Sequence, residues 1–339
     1  MSHYSPVVAA LVTMLLTVII LVSKFSASIE DVPNERSLHQ TPTPRFGGIS
    51  LMAGMLSGWA LMITHLKWWV VLPLIGIFFI SLLDDVHGLP VKRRLLAHFL
   101  SAAIFVLGAF LSVTFVDNMT WLLAPVALLF VVWMSNLYNF MDGSDGLAGG
   151  MALIGFSVYG VASLMNQDDV VAMMNFTIGA AALGFLYFNS SPAKVFMGDA
   201  GSISLGFLAA AMGLWGWLSN YWPLWFPLLV FSPFILDATV TLARRALRGA
   251  KVTEAHREHY YQRLILAGWS HKRLAWSEYA LMLCVGISAL FYLHEPYPWP
   301  LLLGWCVVYA ALMAVVDAAW KKSGQGQLEQ KQLGQKQNG

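Results

Sequence analysis

A soluble chain of 339 residues would be expected to form two domains, but this one is 58% hydrophobic and 11% charged, with a mean hydropathy of +0.64. Globular proteins carry about 25% charged residues, so the deficit excludes an ordinary soluble fold. The net charge of +2 gives no reason to invoke nucleic acid, and both cysteines, Cys284 and Cys306, fall inside apolar runs, which argues against a disulfide framework or a Cys-based metal site.

Apolar runs occur at 5–24, 47–65, 68–83, 95–113, 119–137, 147–166, 170–188, 203–219, 222–243, 276–294 and 298–318. A run of roughly 20 apolar residues spans the hydrocarbon, and in lipid it must close its own backbone hydrogen bonds, which makes it a helix. The expected fold is therefore all-α and polytopic, with about eleven transmembrane helices. Residues 1–320 are expected to form a single membrane domain, whose polar loops would carry any catalytic site, and the Gln/Lys/Gly-rich stretch 321–339 reads as a disordered tail. The first run has no basic residue before Lys24, so it reads as a retained span and not a cleaved signal. With the N-terminus periplasmic, nineteen of the twenty Lys and Arg residues fall on the cytoplasmic side, and only Lys67 does not. The positive-inside rule favours that orientation, and an odd number of spans returns the C-terminus to the cytoplasm.

The polar segments between runs carry the chemistry. Thr41-Pro-Thr-Pro-Arg45-Phe-Gly47-Gly48 opens the second run, where proline stiffens the entry and the glycines allow close helix contact; a purely structural role stays open. Asp84 and Asp85 end the third run. Two adjacent carboxylates repel, and a helix C-terminus is the wrong end of the dipole for them, so they need a cation, a proton or a metal. Lys92, Arg93 and Arg94 follow; they either set topology alone or screen phosphate charge. Asn136-Leu-Tyr-Asn139-Phe-Met-Asp142-Gly-Ser-Asp145-Gly packs hard oxygen donors suited to Mg²⁺ between glycines that permit close backbone approach. Phe196-Met-Gly-Asp199-Ala-Gly-Ser202 precedes the eighth run, where backbone N–H groups at a helix N-terminus can bind an anion; Asp199 could instead be a simple cap, and Phe196 could be core or stack on a base.

Asp237 lies about 10 Å below Arg244 at helical rise. An acid at that depth is a functional candidate, unless Ser232, Thr239 or a basic side chain satisfies it. The loop 244–275 holds His256 and His259, which would share a face on a helix, flanked by Arg257 and Arg263. A zinc site would need further ligands. The arginines, with forked donors for phosphate oxygens, favour a diphosphate; a solvated amphipathic helix is the plainer alternative. His98 and Asp317 read as interfacial or bundle-facing.

Four of these segments, Asp84-Asp85, Asn139-Phe-Met-Asp142-Gly-Ser-Asp145-Gly, Phe196-Met-Gly-Asp199-Ala-Gly-Ser202 and the His256–Arg263 loop, in this order and on one side of the membrane, resemble the polyprenyl-phosphate N-acetylhexosamine-1-phosphate transferases (glycosyltransferase family 4 type). That group includes the O-antigen-initiating enzymes and the phospho-N-acetylmuramoyl-pentapeptide transferase. The likeness covers roughly residues 30–275. The loop His256-Arg-Glu-His259-Tyr-Tyr-Gln-Arg263 departs from the clustered histidines of the pentapeptide transferases and is similar to the O-antigen-initiating branch. The resemblance implies transfer of a sugar-1-phosphate from a UDP-N-acetylhexosamine to undecaprenyl phosphate with release of UMP, on the cytoplasmic face of the bacterial inner membrane. It implies Mg²⁺, with Mn²⁺ able to substitute, held by Asp199 with Asn139 as second ligand. Asp84, Asp85, Asp142 and Asp145 are the expected catalytic acids, Asp142 and Phe196 facing the uridine. Lys92, Arg93, His256, Arg257, His259 and Arg263 would contact the substrates' phosphates or sugar. Which hexosamine is used (GlcNAc, QuiNAc or FucNAc), which acid if any is a base, and whether the chain forms a homodimer are left open. The rival reading is a transporter of anions or lipid-linked sugars, which would place its binding groups near the membrane midplane.

Overall fold

A computed structural model describes residues 2–23, 30–33, 38–39, 41–112, 118–251 and 256–324. Lys24 and Arg36, counted above as cytoplasmic, and residues 325–339 of the expected tail lie outside them.

The chain is an all-α, multi-span membrane protein. Each of the eleven apolar runs is helical. In order, the helices are α1 (Ser5–Val22), α2 (Gly47–Ala60), α3 (Trp68–His87), α4 (Val91–Ser112), α5 (Asn118–Trp121), α6 (Ala124–Phe140), α7 (Leu147–Met165), α8 (Asp169–Asn189), α9 (Gly198–Leu218), α10 (Trp225–Val230), α11 (Ser232–Leu247), α12 (Tyr260–Leu266), α13 (His271–Phe291) and α14 (Trp299–Lys322). Among the described residues, α1, α3, α4, α7, α8, α9, α13 and α14 are long and apolar enough to cross a membrane. The other three runs are shorter: α2 has 14 residues, α6 has 17, and the run 222–243 is broken at Phe231 into α10 and α11. Pro233 lies in the first turn of α11, where a missing N–H costs nothing.

Two boundaries decide the chemistry. Helix α3 continues past its apolar run to His87 and stops at Gly88, whose φ of +64° favours glycine. Asp84 and Asp85 are thus in its last turn. Helix α4 begins at Val91, so Lys92, Arg93 and Arg94 occupy its first turn.

Helix α9 is the axis of the bundle, buried along nearly its whole length and packed against α3, α6, α2 and α4. In lipid, helices gain by close backbone approach at small residues. A Cβ on Gly48 would come within 2.4 Å of the Gly201 backbone nitrogen, and one on Gly206 within 2.5 Å of the Met134 carbonyl. These glycines let α2 and α6 touch α9. Helix α14 is the opposite case, peripheral, with only Tyr309 buried. A two-stranded antiparallel ribbon, β1 (Glu30–Asp31) against β2 (Thr43–Pro44), pairs Glu30 with Pro44.

Candidate active site

The C-termini of α3, α6 and α8 and the N-termini of α2, α4, α7, α9 and α13 meet at one end of the bundle. There Asp84 and Asp85, read as a repelling pair, prove to have separate partners. Asp84 Oδ2 lies 2.9 Å from Arg94 Nη1, and its Oδ1 accepts the Leu89 N–H at 2.6 Å. The Asp85 carboxylate accepts the N–H groups of Asp199 (3.1 Å) and Ala200 (2.9 Å), the first turn of α9. Arg45 Nη2 is 3.4 Å from Asp85 Oδ1 and donates to the Asp85 carbonyl at 3.0 Å. The anion disfavoured by the C-terminus of α3 is thus held by the positive N-terminus of α9. The anion site expected at this N-terminus exists, and the protein's own carboxylate fills it. Gly198 makes the approach possible: its φ is +75°, and a Cβ there would stand 3.0 Å from Asp85 Oδ2.

Asp199 follows on the open side, 3.6 Å from Arg94 Nη2, so Arg94 spans Asp84 and Asp199. Asn139, in the last turn of α6, accepts the Ser202 hydroxyl through Oδ1 at 2.8 Å. Asp142 is half-buried in the turn after α6. Burial, joined by the charges of Asp199 and Asp85 and opposed by Arg45, pushes its carboxyl well above the usual range. Gly143 is required by contact, since a Cβ would lie 2.2 Å from the Tyr261 hydroxyl. Asp145 Oδ2 accepts the Ala193 N–H at 3.2 Å, and the Asn189 amide bridges Gly146 N–H and Val195 carbonyl, both at 2.9 Å. The loop 140–146 is thereby tied to 189–195.

Phe196 is clamped by main chain. Its N–H donates to Pro44 and its carbonyl accepts from Gly47, while Met197 accepts from Gly48, at 2.8–2.9 Å. Its ring meets His39 edge-on at 4.8 Å between centroids. These pieces enclose a cleft of about 330 Å³. Arg45, Asp142 and Asp199 line it with charge beside Asn139 and Gly198; Asp31, Leu38, His39 and Phe196 form a wall; Ser144, Asp145, Asn189, Gln262 and His271 complete it.

The remaining expected contacts are placed otherwise. Lys92 and Arg93 are exposed and do not line the cleft. Arg94 is the one of the three that reaches a cleft acid, Asp199, because it lies one turn before His98 on the buried stripe His98, Ala102, Phe105 of α4. That periodicity was available in the sequence. Arg263 is buried and pairs with Asp317 at 3.0 Å, a partner it shares with Arg244, so its guanidinium is already neutralised away from the cleft. His256 and His259 precede α12 and do not share a helix face, although their rings stack at 4.9 Å. Burial, with His259 and Arg245 adding to it, lowers His256 to about 4, which leaves it neutral. Arg257 is half-buried; neither it nor the two histidines line the cleft, where Gln262 stands instead. Asp237 caps the loop: it accepts N–H groups of Tyr260 and Tyr261 at 2.9 and 3.0 Å, the Thr241 hydroxyl at 3.2 Å, and lies 3.1 Å from His259 Nδ1. The acid a midplane transport site would need is thus committed to holding structure, by partners other than Ser232 or Thr239.

Among the described residues, no three His, Cys, Asp or Glu side chains converge as a metal-binding group. Zinc would want such a set. Mg²⁺ takes one or two carboxylates and completes its shell with waters and substrate phosphates. Asp199, Asn139 and Asp142 offer only hard oxygen ligands at one wall of the cleft, a donor set that fits Mg²⁺.

Glycosyl transferase family 4 matches residues 67–216. The chain is 30% identical over 302 residues, 84% of its own length and 84% of the other, to a "Probable undecaprenyl-phosphate N-acetylglucosaminyl 1-phosphate transferase" of Bacillus subtilis. It is 29% identical over 294 residues to the "Phospho-N-acetylmuramoyl-pentapeptide-transferase" of Staphylococcus aureus, covering 79% of this chain and 90% of that one. The matched regions contain α3, α4, α6 and most of α9, the helices that carry Asp84, Asp85, Arg94, Asn139 and Asp199. The chain belongs to glycosyl transferase family 4, the polyprenyl-phosphate N-acetylhexosamine-1-phosphate transferases.

Proposed function

We propose that the protein transfers N-acetylhexosamine-1-phosphate from a UDP-sugar to undecaprenyl phosphate, releasing UMP, and that this step initiates O-antigen or a related cell-envelope polysaccharide. The observation that carries the reading is the convergence of Asp142, Asp199 and Arg45 at one cleft on one end of a membrane bundle, with Asp85 and Arg94 paired to them from behind. A lipid acceptor keeps its chain in the bilayer and its phosphate at the surface, so the cleft must open there. The asymmetry of Lys and Arg supports the cytoplasmic face, where the nucleotide sugar is found.

In the reaction a lipid phosphate oxygen attacks the β-phosphorus of the UDP-sugar. A P–O bond forms there, the bond from that phosphorus to the α–β bridging oxygen breaks, and the electron pair leaves with UMP. Such catalysis is mostly positioning and charge stabilisation. Arg94 and Arg45 supply fixed positive charge beside the phosphates. Asp84 and Asp85 hold those guanidiniums and the first turn of α9 in place, and so act as positioning residues. The acceptor phosphate is already largely ionised near neutral pH, so no base is needed. Asp199 and Asn139, with Asp142 beside them, would hold Mg²⁺. When bound, the ion screens the diphosphate and makes UMP a better leaving group. Phe196 and His39 offer an aromatic wall for the uracil.

The test is turnover of radiolabelled UDP-GlcNAc, UDP-QuiNAc and UDP-FucNAc by the purified protein with undecaprenyl phosphate. One of them is expected to give a lipid-linked product and an equal amount of UMP. No product from any, with the protein folded and Mg²⁺ present, would refute the reading.

A further inference from the structure

His271 is a cleft residue that the phosphoryl-transfer chemistry does not use. It opens α13, directly after the N-cap Ser270, and its ring lies against the turn that carries Ser144 and Asp145. The Ser144 hydroxyl is 2.9 Å from His271 Nδ1, and the Asp145 backbone nitrogen is 3.4 Å from the same atom. A backbone N–H can only donate, so Nδ1 is the acceptor of both contacts and the ring proton sits on Nε2. Among the described residues nothing accepts from Nε2–H, while the residue lines the cleft and about a fifth of its side chain is open to solvent.

The location decides what that donor can meet. Arg45 and Arg94 stand beside Asp85 and Asp199, and their positive charge marks that part of the cleft for the diphosphate. His271 stands apart, beyond Gly143, with Asp145 Oδ1 3.9 Å from its Nδ1. A carboxylate so close disfavours a phosphate there. A hydroxyl could turn and donate to Asp145, whereas a carbonyl oxygen can only accept and needs a donor. We propose that His271 is a specificity-determining residue whose Nε2–H reads a carbonyl oxygen of the UDP-sugar donor, either of the uracil or of the sugar's acetamido group.

This rests on the proposed function, and two substitutions separate binding from scaffolding. In His271→Asn the amide oxygen can take the place of Nδ1 and keep accepting from Ser144 and Asp145, but the distal donor is gone. In His271→Gln the amide nitrogen can stand near Nε2 and keep donating, but the anchor is gone. One neutral hydrogen bond corresponds to roughly a 3- to 10-fold change. His271→Asn is therefore expected to raise KM for the UDP-sugar about 10-fold, with kcat and the KM for undecaprenyl phosphate unchanged, and His271→Gln to lie close to wild type. Inhibition by UMP assigns the source: equal weakening of UMP in His271→Asn identifies the uracil, and unchanged UMP inhibition identifies the acetamido group. A wild-type KM in His271→Asn, or rescue by Asn with failure of Gln, overturns the inference while the enzyme remains a transferase. A wild type with no turnover on any UDP-N-acetylhexosamine overturns the proposed function itself and this inference with it.

Discussion

Asp85→Asn removes one charge and reverses one hydrogen-bonding group at the point where α3 meets α9. The carboxylate accepts two N–H groups of α9 and faces Arg45. Asn keeps one acceptor oxygen, but its amide NH₂ must then confront either an α9 N–H or the guanidinium. Hydrogen bonds to a charged group contribute about 1.5–3 kcal/mol each. The helix-dipole interaction adds up to ~2 kcal/mol in partly buried geometry. Arg45 is one-third exposed, so its pairing is discounted for solvent. Because Asn retains one of the bonds, a net loss of about 2–4 kcal/mol is expected. The assay is thermal unfolding in detergent, with a fall of about 3–6 °C expected, alongside turnover, which should drop because Asp199 begins the turn that Asp85 fixes. Asp85→Glu, longer by one methylene, should recover part of the stability. An Asp85→Asn protein that melts with wild type and remains active would refute the idea that this carboxylate organises the site.

Asp199→Asn should abolish turnover while melting near wild type, since Asp199 contributes its backbone, not its carboxylate, to the α9 cap; full activity in EDTA, or failure of Mg²⁺ and Mn²⁺ to restore it, would remove the metal assignment. Arg263→Ala should destabilise the protein by only about 1 kcal/mol, the loss of one hydrogen bond, because Asp317 keeps Arg244, and should leave KM for the UDP-sugar unchanged; a selective rise in that KM would show that the ion pair opens to bind substrate. Asp142 has its folded pKa raised, so the folded state binds more protons than the unfolded one above the ordinary carboxylate range, and metal-free stability must fall as pH rises from there. Asp142→Asn should flatten that slope, read as melting temperature against pH in EDTA; an unchanged slope would contradict it. Reporter fusions after Gly88, Gly143 and Gly249 should report cytoplasm and one after Asn118 periplasm, and a periplasmic signal at Gly143 would place the cleft on the wrong face.

Helices and acids were legible for a local reason. A run of apolar residues can only be helical in lipid, and Asn139, Asp142, Asp145, Phe196 and Asp199 come from two short segments whose own composition marks them. What local reading misplaced depends on phase or on distant partners. Lys92 and Arg93 look equivalent to Arg94 until α4 is started at Val91 instead of 95, which puts only Arg94 on the buried stripe. Arg263 reads as an anion binder because nothing near it in sequence reveals Asp317, 54 residues on. His271 is silent in sequence for the same reason: its partner Ser144 is 127 residues away. Asp237 was rightly suspected as an expensive buried acid, but its partners are the N–H groups of a loop that returns some twenty residues later.

The charge balance of the cleft bears on how the two substrates could meet there. Asp84, Asp85, Asp142 and Asp199 gather around only two guanidiniums, Arg45 and Arg94. Asp84 and Asp85 are matched by those arginines and by the α9 N-terminus, so the surplus in this part of the cleft resides on Asp142 and Asp199, two of the four acids that line it. Two substrate phosphates entering an anionic pocket repel it and each other, and the low local dielectric sharpens that repulsion. A proton on Asp142 relieves the pocket when it is empty but does nothing for the incoming diphosphate. A divalent cation held by Asp199 and Asp142 would relieve both at once, since it would neutralise the two acids and attract the phosphate oxygens. Cation and nucleotide should then bind with positive coupling, each removing the charge that opposes the other. Replacing Asp142 with Asn would remove that charge without needing a proton, so at a pH high enough to ionise Asp142 the variant should bind UMP in EDTA more tightly than wild type while losing the Mg²⁺-dependent gain. Isothermal titration of UMP with and without Mg²⁺ measures both quantities, and equal UMP affinity of wild type and variant in EDTA would show that Asp142 does not carry the surplus.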